Sequence, residues 1–288
     1  MYLKNIVLTL LLITISLVQP SFAQDVAALD AAVAAQDDEH KSRHIYRHPK
    51  ETLEFFGIEP GMAVGEVLPG GGWYTKILLP YLGDEGSLVG IDYPIDLFRE
   101  FGPNSFATPE FLKKKESWPE TWTAQAQEWL GGSSANISAA TFSTMPEELD
   151  GSLDAILFIR ALHNLSRFNS NGGYLDNALA ASFKALKPGG IVGVVQHHAR
   201  EDRSDEWADG SNGYLKSSFI KTRMADAGFQ FVGESDINSN ELDQAKEGDR
   251  VWRLLPRLRA EGDEEKLAAI RAIGESNRIT MTFVKPSE

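Results

Sequence analysis

The sequence predicts an α/β fold: a parallel sheet with helices on both faces, preceded by an N-terminal helical extension. Two observations carry this. Strand-like runs alternate with helical stretches along most of the chain, which builds parallel β-α-β units. One such unit is legible in detail around three consecutive glycines, "AVGEVLPGGGWYTKILLPYLGDEGSLVGIDYP", and its crossover is expected to be right-handed. At 42% hydrophobic the chain can bury a full core. Internal repeats, low-complexity tracts and long Gly/Pro/Ser linkers are missing from it, so residues 24–288 read as one domain.

The elements follow in order. Residues 1–23 have the layout of a secretory signal peptide: Lys4, an apolar run from Ile6 to Val18, then small residues Ser21 and Ala23. That run is shorter than the about 20 residues a bilayer crossing needs. A periplasmic or secreted protein is expected, with no membrane span after cleavage; an uncleaved anchor is the rival reading. Residues 25–47 are Ala-rich, then charged, without Gly or Pro, and predict one helix ended by Pro49. "ETLEFFGIEPGM" reads as a short helix capped by Gly57, "AVGEVL" as the first strand, "YTKILLPYLG" as a helix ending near Gly83, and "GSLVGIDYP" as the second strand with Asp92 at its far end. Between 95 and 135, Trp118, Trp122 and Trp129 at helical spacing point to core packing. "ANISAATF" is the third strand and "GSLDAILFIRALHNL" the fourth. The amphipathic helix "YLDNALAASFKALKPGG" is expected to stop at Pro188-Gly189-Gly190, before the fifth strand "IVGVVQHH". A helix, a stop at Gly228 and a strand follow in "SSFIKTRMADAGFQFVGESD", and "NRITMTFVKP" is the last strand.

Composition excludes several functions. The net charge of −13 argues against nucleic acid, whose phosphates require a basic face. Without cysteine there is no disulfide, thiolate metal site or lipid-modified Cys. A G-x-S-x-G elbow is missing too, which sets serine hydrolases aside.

The glycine turn "EVLPGGGWYTK" fits neither a P-loop, which needs Gly-Lys-Ser/Thr, nor the G-x-G-x-x-G dinucleotide fingerprint. An acidic residue followed by a glycine turn at the end of the first strand matches an S-adenosylmethionine (SAM) loop, with glycine wanted where a ligand lies on bare backbone. A plain strand-to-helix turn is the alternative. Asp92, at the end of the second strand, is placed to accept both ribose hydroxyls, and "LKPGG" precedes the fifth strand. Together these features resemble the class I SAM-dependent methyltransferases over roughly 53–286. "YRHPKETLEFFGIEPGMAVGEVLPGGGWYT" is similar, more narrowly, to a branch of bacterial methyltransferases that carry export signals. The resemblance implies a Rossmann-like seven-stranded methyltransferase sheet whose final strand, 279–284, is antiparallel. It implies SAM as cofactor, with Glu66 and the turn Gly70, Gly71 and Gly72 at its methionine part and Asp92 at its ribose. Two positions depart from the family pattern: Leu68 and Pro69 stand where its first glycine would open the turn, and Thr141 where an acidic residue often sits near the adenine.

Ligands of open α/β sheets bind beyond the carboxyl ends of the strands. Trp73 and Tyr74 follow the first strand, Arg160, His163 and Asn164 the fourth, and His197 and His198 the fifth. Methyl transfer chiefly requires alignment of the reactants, plus a base when the nucleophile is protonated. His163 or His198 is the expected base, and Arg160 is expected to hold an anionic group or a carboxylate of the fold. Alternation along a strand sends only one of His197 and His198 into the cleft. In "EHKSRHIYRHP", His40, His44 and His48 are spaced along one helix face. Arg43 and Arg47 crowd them with positive charge, so a lid with Tyr46 and Arg47 on a small-molecule substrate is expected there, not a metal site; a plain solvated helix is the other reading. A methyltransferase fold that binds another ligand without methyl transfer, and a His-metal enzyme, remain the alternatives to a methyltransferase.

Overall fold

A computed structural model describes residues 26–102, 105–130, 136–259 and 261–287; the expected signal peptide lies outside them. Eight strands form the sheet: β1 (Ala63–Val67), β2 (Ser87–Asp92), β3 (Asn136–Thr141), β4 (Leu153–Ile159), β5 (Leu186–Ala199), β6 (Leu215–Lys216), β7 (Gln230–Ser235) and β8 (Arg278–Val284). The order is β3-β2-β1-β4-β5-β8-β7, and the two-residue β6 pairs with the end of β5. β1 to β5 are mutually parallel, and β8 runs antiparallel between β5 and β7. The predicted α/β class and the antiparallel final strand are both present.

This topology places the site. The chain leaves β1 towards β2 on one side and later passes to β4 on the other, so the strand order reverses beside β1, where open sheets bind ligands. β8 runs the other way, so its first residue lies among the carboxyl ends: Arg278 is opposite His197. Alternation on β4 feeds two cores. Ile156 and Phe158 pack with Ile91, Val192, Val194, Met281 and Phe283. Ala155 and Leu157 pack with Leu53, Phe56, Ile77, Leu78 and Trp122. Helices 162–167, 174–185 and 217–226 cover the first face; helices 26–34, 49–56, 75–82 and 118–129 cover the second.

Two expectations need correction. The predicted helix over 25–47 is three pieces, Val26–Ala34, Asp38–Lys41 and His44–Arg47. Asp37 caps the second piece by accepting the His40 amide at 2.9 Å, and a polar capping residue offers the backbone an alternative to continuing the previous helix. The helix Tyr174–Ala185 ends before Pro188. Gly189 N–H donates to the Lys285 carbonyl and Lys285 N–H to the Gly190 carbonyl, each at 2.9 Å, so "PGG" is recruited into β5. Residues 95–130 contain three helices, Ile95–Arg99, Pro109–Glu116 and Trp118–Trp129, and Trp122 is buried as predicted. Pro49 does break the chain: His48 before it has φ of 36°, and Pro49 opens the helix that Gly57 caps at φ 68°.

Candidate functional site

The glycine turn divides into residues the fold requires and one it does not. Leu68 adopts φ of 54°, so the left-handed conformation is kept although glycine is not; its amide donates to the Ile91 carbonyl at 2.7 Å. Gly70 and Gly72 have φ of 56° and 78°, and a Cβ on Gly72 would overlap the Trp129 ring. Gly71 is different. It is exposed, its φ is not positive, and a Cβ there would meet no described atom within 4 Å.

Beneath the turn, Glu66 is buried on β1. Thr75 Oγ1 donates to its Oε2 at 2.6 Å. Burial raises its pKa to about 7, outweighing the opposing effect of Thr75.

Asp92 ends β2 and is also buried. Its Oδ1 accepts the Tyr93 amide at 2.8 Å, and its Oδ2 pairs with Lys115 from the helix Pro109–Glu116. Burial raises the Asp92 pKa, and Lys115 partly offsets this. Lys115 lies near the rings of Phe98, Phe111 and Trp118. It also lines a cavity of about 290 Å³ beyond β2 and β3, together with Asp96, Thr141, Ser143 and Thr144. Thr141, which replaces the expected acidic residue, thus faces a cavity beside Asp92.

The rim of β4 and β5 holds His163 and His197, whose ring centroids are 5.6 Å apart. Both are buried. Burial first, and Arg160 second, lower His163 to about 4; burial and neighbouring positive groups hold His197 well below the usual range. Ser276 Oγ accepts from Arg278 Nε at 3.3 Å and lies 2.6 Å from His197 Nδ1. His163 Nδ1, Asn164 Oδ1 and Gln196 Oε1 are buried without a well-formed hydrogen bond among the described residues, although Gln196 lies close enough to oppose the lowering of His163. An unmade bond of this kind costs about 1–3 kcal/mol, so these atoms want a partner.

His198 stands apart. It alternates away from His197, and the charged groups that bear on it are Glu201, Glu234, Asp236 and Lys221. The pair at the rim is therefore His163 with His197. Among the described residues no three His, Cys, Asp or Glu side chains gather as a metal site. His40 turns to Asp37 at 2.7 Å and His44 Nε2 to Gln36 Oε1 at 2.6 Å, because the broken helix has no continuous face to align them.

The N-terminal segment closes one side of the rim. Gln36 Nε2 donates to the Trp73 carbonyl at 2.7 Å, the Arg47 guanidinium lies 4.5 Å from the Trp73 ring centre, and the Tyr74 hydroxyl donates to the Arg47 carbonyl at 3.3 Å. Tyr46 packs on Gly274 and its carbonyl accepts from Arg278. Arg47 is anchored to Glu275 at 3.3 Å. Arg43 and Arg278 pair with the same carboxylate. Burial would raise Glu275, but Arg278, Arg47, Arg160 and Arg43 together hold it near 2.

Sequence reasoning missed Lys115, Gln196, Glu275, Ser276 and Arg278. Lys115, Glu275, Ser276 and Arg278 reach the site from elements distant in sequence, Gln196 adjoins His197 on β5, and none carries a spacing signal. The position of Arg278 at the start of a strand expected to be antiparallel was the one available clue.

No family model matches the chain, and no curated protein matches it. Solved structures do. The [4+2]-cyclase SpnF is similar at 17% identity, over 84% of this chain and 81% of its own, with a TM-score of 0.50. A SAM-dependent methyltransferase from Aquifex aeolicus is similar at 15% identity, over 89% of this chain and 98% of its own, with a TM-score of 0.48. The fold is the Rossmann-like one of the cyclase structure.

Proposed function

We propose that the protein is an exported SAM-dependent methyltransferase acting on a small molecule or an envelope component. Gly71 is the observation that carries this reading. Neither backbone strain nor packing requires glycine there, whereas a ligand lying along the turn would, because any side chain would stand in its way.

The surrounding residues fit the cofactor. Glu66 and Gly70–Gly72 would hold the methionine end, Asp92 the ribose, and Thr141, Ser143 and Thr144 would line the space for the base. SAM, when bound, supplies an electrophilic methyl group on a cationic sulfur. The chain's own task is to align the nucleophile and manage its proton. His163 is neutral at pH 7, and its Nδ1 is open. At about 4 its pKa is low for a base that must keep a proton, so its first role is to accept a hydrogen bond and orient the nucleophile. The Arg278–Ser276–His197 chain fixes the neighbouring ring.

One observation favours a second reading, a ligand-binding protein of this fold without methyl transfer: Lys115 already sits on the carboxylate that a ribose would need. The same experiment separates the two. Titration calorimetry of residues 24–288 with S-adenosylhomocysteine is expected to give micromolar binding. Gly71→Ala should leave the melting temperature unchanged and weaken binding at least about tenfold, or 1.4 kcal/mol. No heat with folded wild-type protein would sink the methyltransferase reading. Full affinity in Gly71→Ala would remove the observation it stands on.

A further inference from the structure

From the arginines at the rim we infer that the substrate carries an oxyanion, a carboxylate or phosphate group, which Arg160 and Arg43 bind. This deepens the methyltransferase reading and rests on it for the word substrate; the anion site itself stands without it.

The argument begins with charge. Arg43, Arg47, Arg160 and Arg278 act on one carboxylate, Glu275. Arg43, Arg47 and Arg278 hold ion pairs with it; Arg160 is left without an ion-pair partner among the described residues. Four guanidinium groups around one carboxylate is a poor balance for so dry a place: Arg47 and Arg278 are about as buried as Glu275 itself. Like charges brought together out of water repel strongly. The chain as a whole is acidic, at −13, so a positive excess here is local and runs against the composition.

A purely structural role explains the cluster only in part. Glu275 ties the N-terminal segment to β8 through Arg43, Arg47 and Arg278, and that tie is complete without Arg160. Yet Arg160 sits at the carboxyl end of β4 with a φ of 60°. A non-glycine residue held in the left-handed region costs about 1–3 kcal/mol, and such residues cluster at functional sites. Its backbone is fastened by a hydrogen bond to the Val195 carbonyl at 2.6 Å. Arg160 and Arg43 are the two of the four that keep access to solvent. A guanidinium presents a planar fork that matches a carboxylate or phosphate edge, and an anion there would relieve the repulsion.

The neighbouring atoms agree. Gln196 Oε1 stands on β5, and His163 Nδ1 and Asn164 Oδ1 at the start of the helix 162–167 just after Arg160; all three are buried without a well-formed hydrogen bond among the described residues. Two of them are acceptors only, so the rest of the substrate should offer hydroxyl or amine donors. An anionic small molecule with such a donor also has a nucleophile to present beside His163.

The test needs no knowledge of the substrate. Melting temperature is measured for residues 24–288 in inorganic phosphate and in sodium chloride of equal ionic strength, and binding of S-adenosylhomocysteine is measured separately. Phosphate at about 50 mM is expected to raise the wild-type melting temperature by about 3 °C or more over chloride. Arg160→Gln should lose most of that rise, and Arg160→Lys, which keeps the charge but not the fork, should keep part of it. Equal effects of phosphate and chloride on wild type would overturn the inference whatever the variants do, as would a full phosphate effect in Arg160→Gln. Failure of S-adenosylhomocysteine to bind while phosphate still acts would instead overturn the methyltransferase reading and leave the anion site in place.

Discussion

Glu66, His163 and His197 are tuned by burial more than by partners. Glu66 is the clearest case. Its folded pKa of about 7 lies above its ordinary value of 4.5, so the folded state favours the protonated form. That contribution is fully present below pH 4.5 and is lost as the pH rises through 7. Glu66→Gln keeps the acceptor for Thr75 and removes the titration. It should match wild type in stability near pH 4 and exceed it at pH 8, by about 3 kcal/mol at most. Urea midpoints at the two pH values check this; equal stability of the two proteins at pH 8 would show that Glu66 ionises freely. The sequence made Glu66, Asp92 and the three glycines legible because their roles follow from local spacing after a strand. It could say that His197 and His198 face opposite ways but not which one faces inward, because parity on a strand is set by what packs against the sheet.

At the scale of elements, the helix Pro109–Glu116 is the piece to watch. It was not legible: its sequence PEFLKKKE has no buried residue, and amphipathic signals arise only where a face is buried. Its function in the structure is to bring Lys115 onto Asp92 and to wall the cavity beside β3. If the ribose of a cofactor uses Asp92, Lys115 competes with it. Lys115→Met should therefore tighten S-adenosylhomocysteine by about 3- to 10-fold, up to 1.4 kcal/mol, read by calorimetry. Weaker binding in that variant would mean that Lys115 belongs to the bound state. The strands and the helices that bury a face were legible through periodicity. The N-terminal pieces were not, because their breaks depend on Asp37 and on docking to Trp73, a residue of another element.

Across the whole molecule, Glu275 joins what the sequence keeps apart. It connects the N-terminal segment, the start of β8 and, electrostatically, the end of β4. Removing one partner from a buried ion cluster costs about 3–5 kcal/mol. Glu275→Gln should lose that much in urea unfolding and should free the segment 26–47, so that limited proteolysis cuts there first. Wild-type stability and wild-type cleavage in the variant would show that the arginines are balanced elsewhere. The parallel α/β class was readable from the order of elements, since parallel crossovers permit few arrangements; the antiparallel last strand was implied by the family resemblance. The charge cluster was not, since it exists only after the sheet has formed.

Gly72 and Trp129 hold a last consequence. The indole fills the space that a side chain at 72 would take, so the two positions are sterically coupled across separate elements. A lineage that loses the tryptophan frees the space but not the backbone, whose φ of 78° still favours glycine, and one that gains a side chain at 72 must first shrink residue 129. Drift in the glycine turn is thereby governed in part from the helix Trp118–Trp129, and the order in which such changes can accumulate is constrained by geometry.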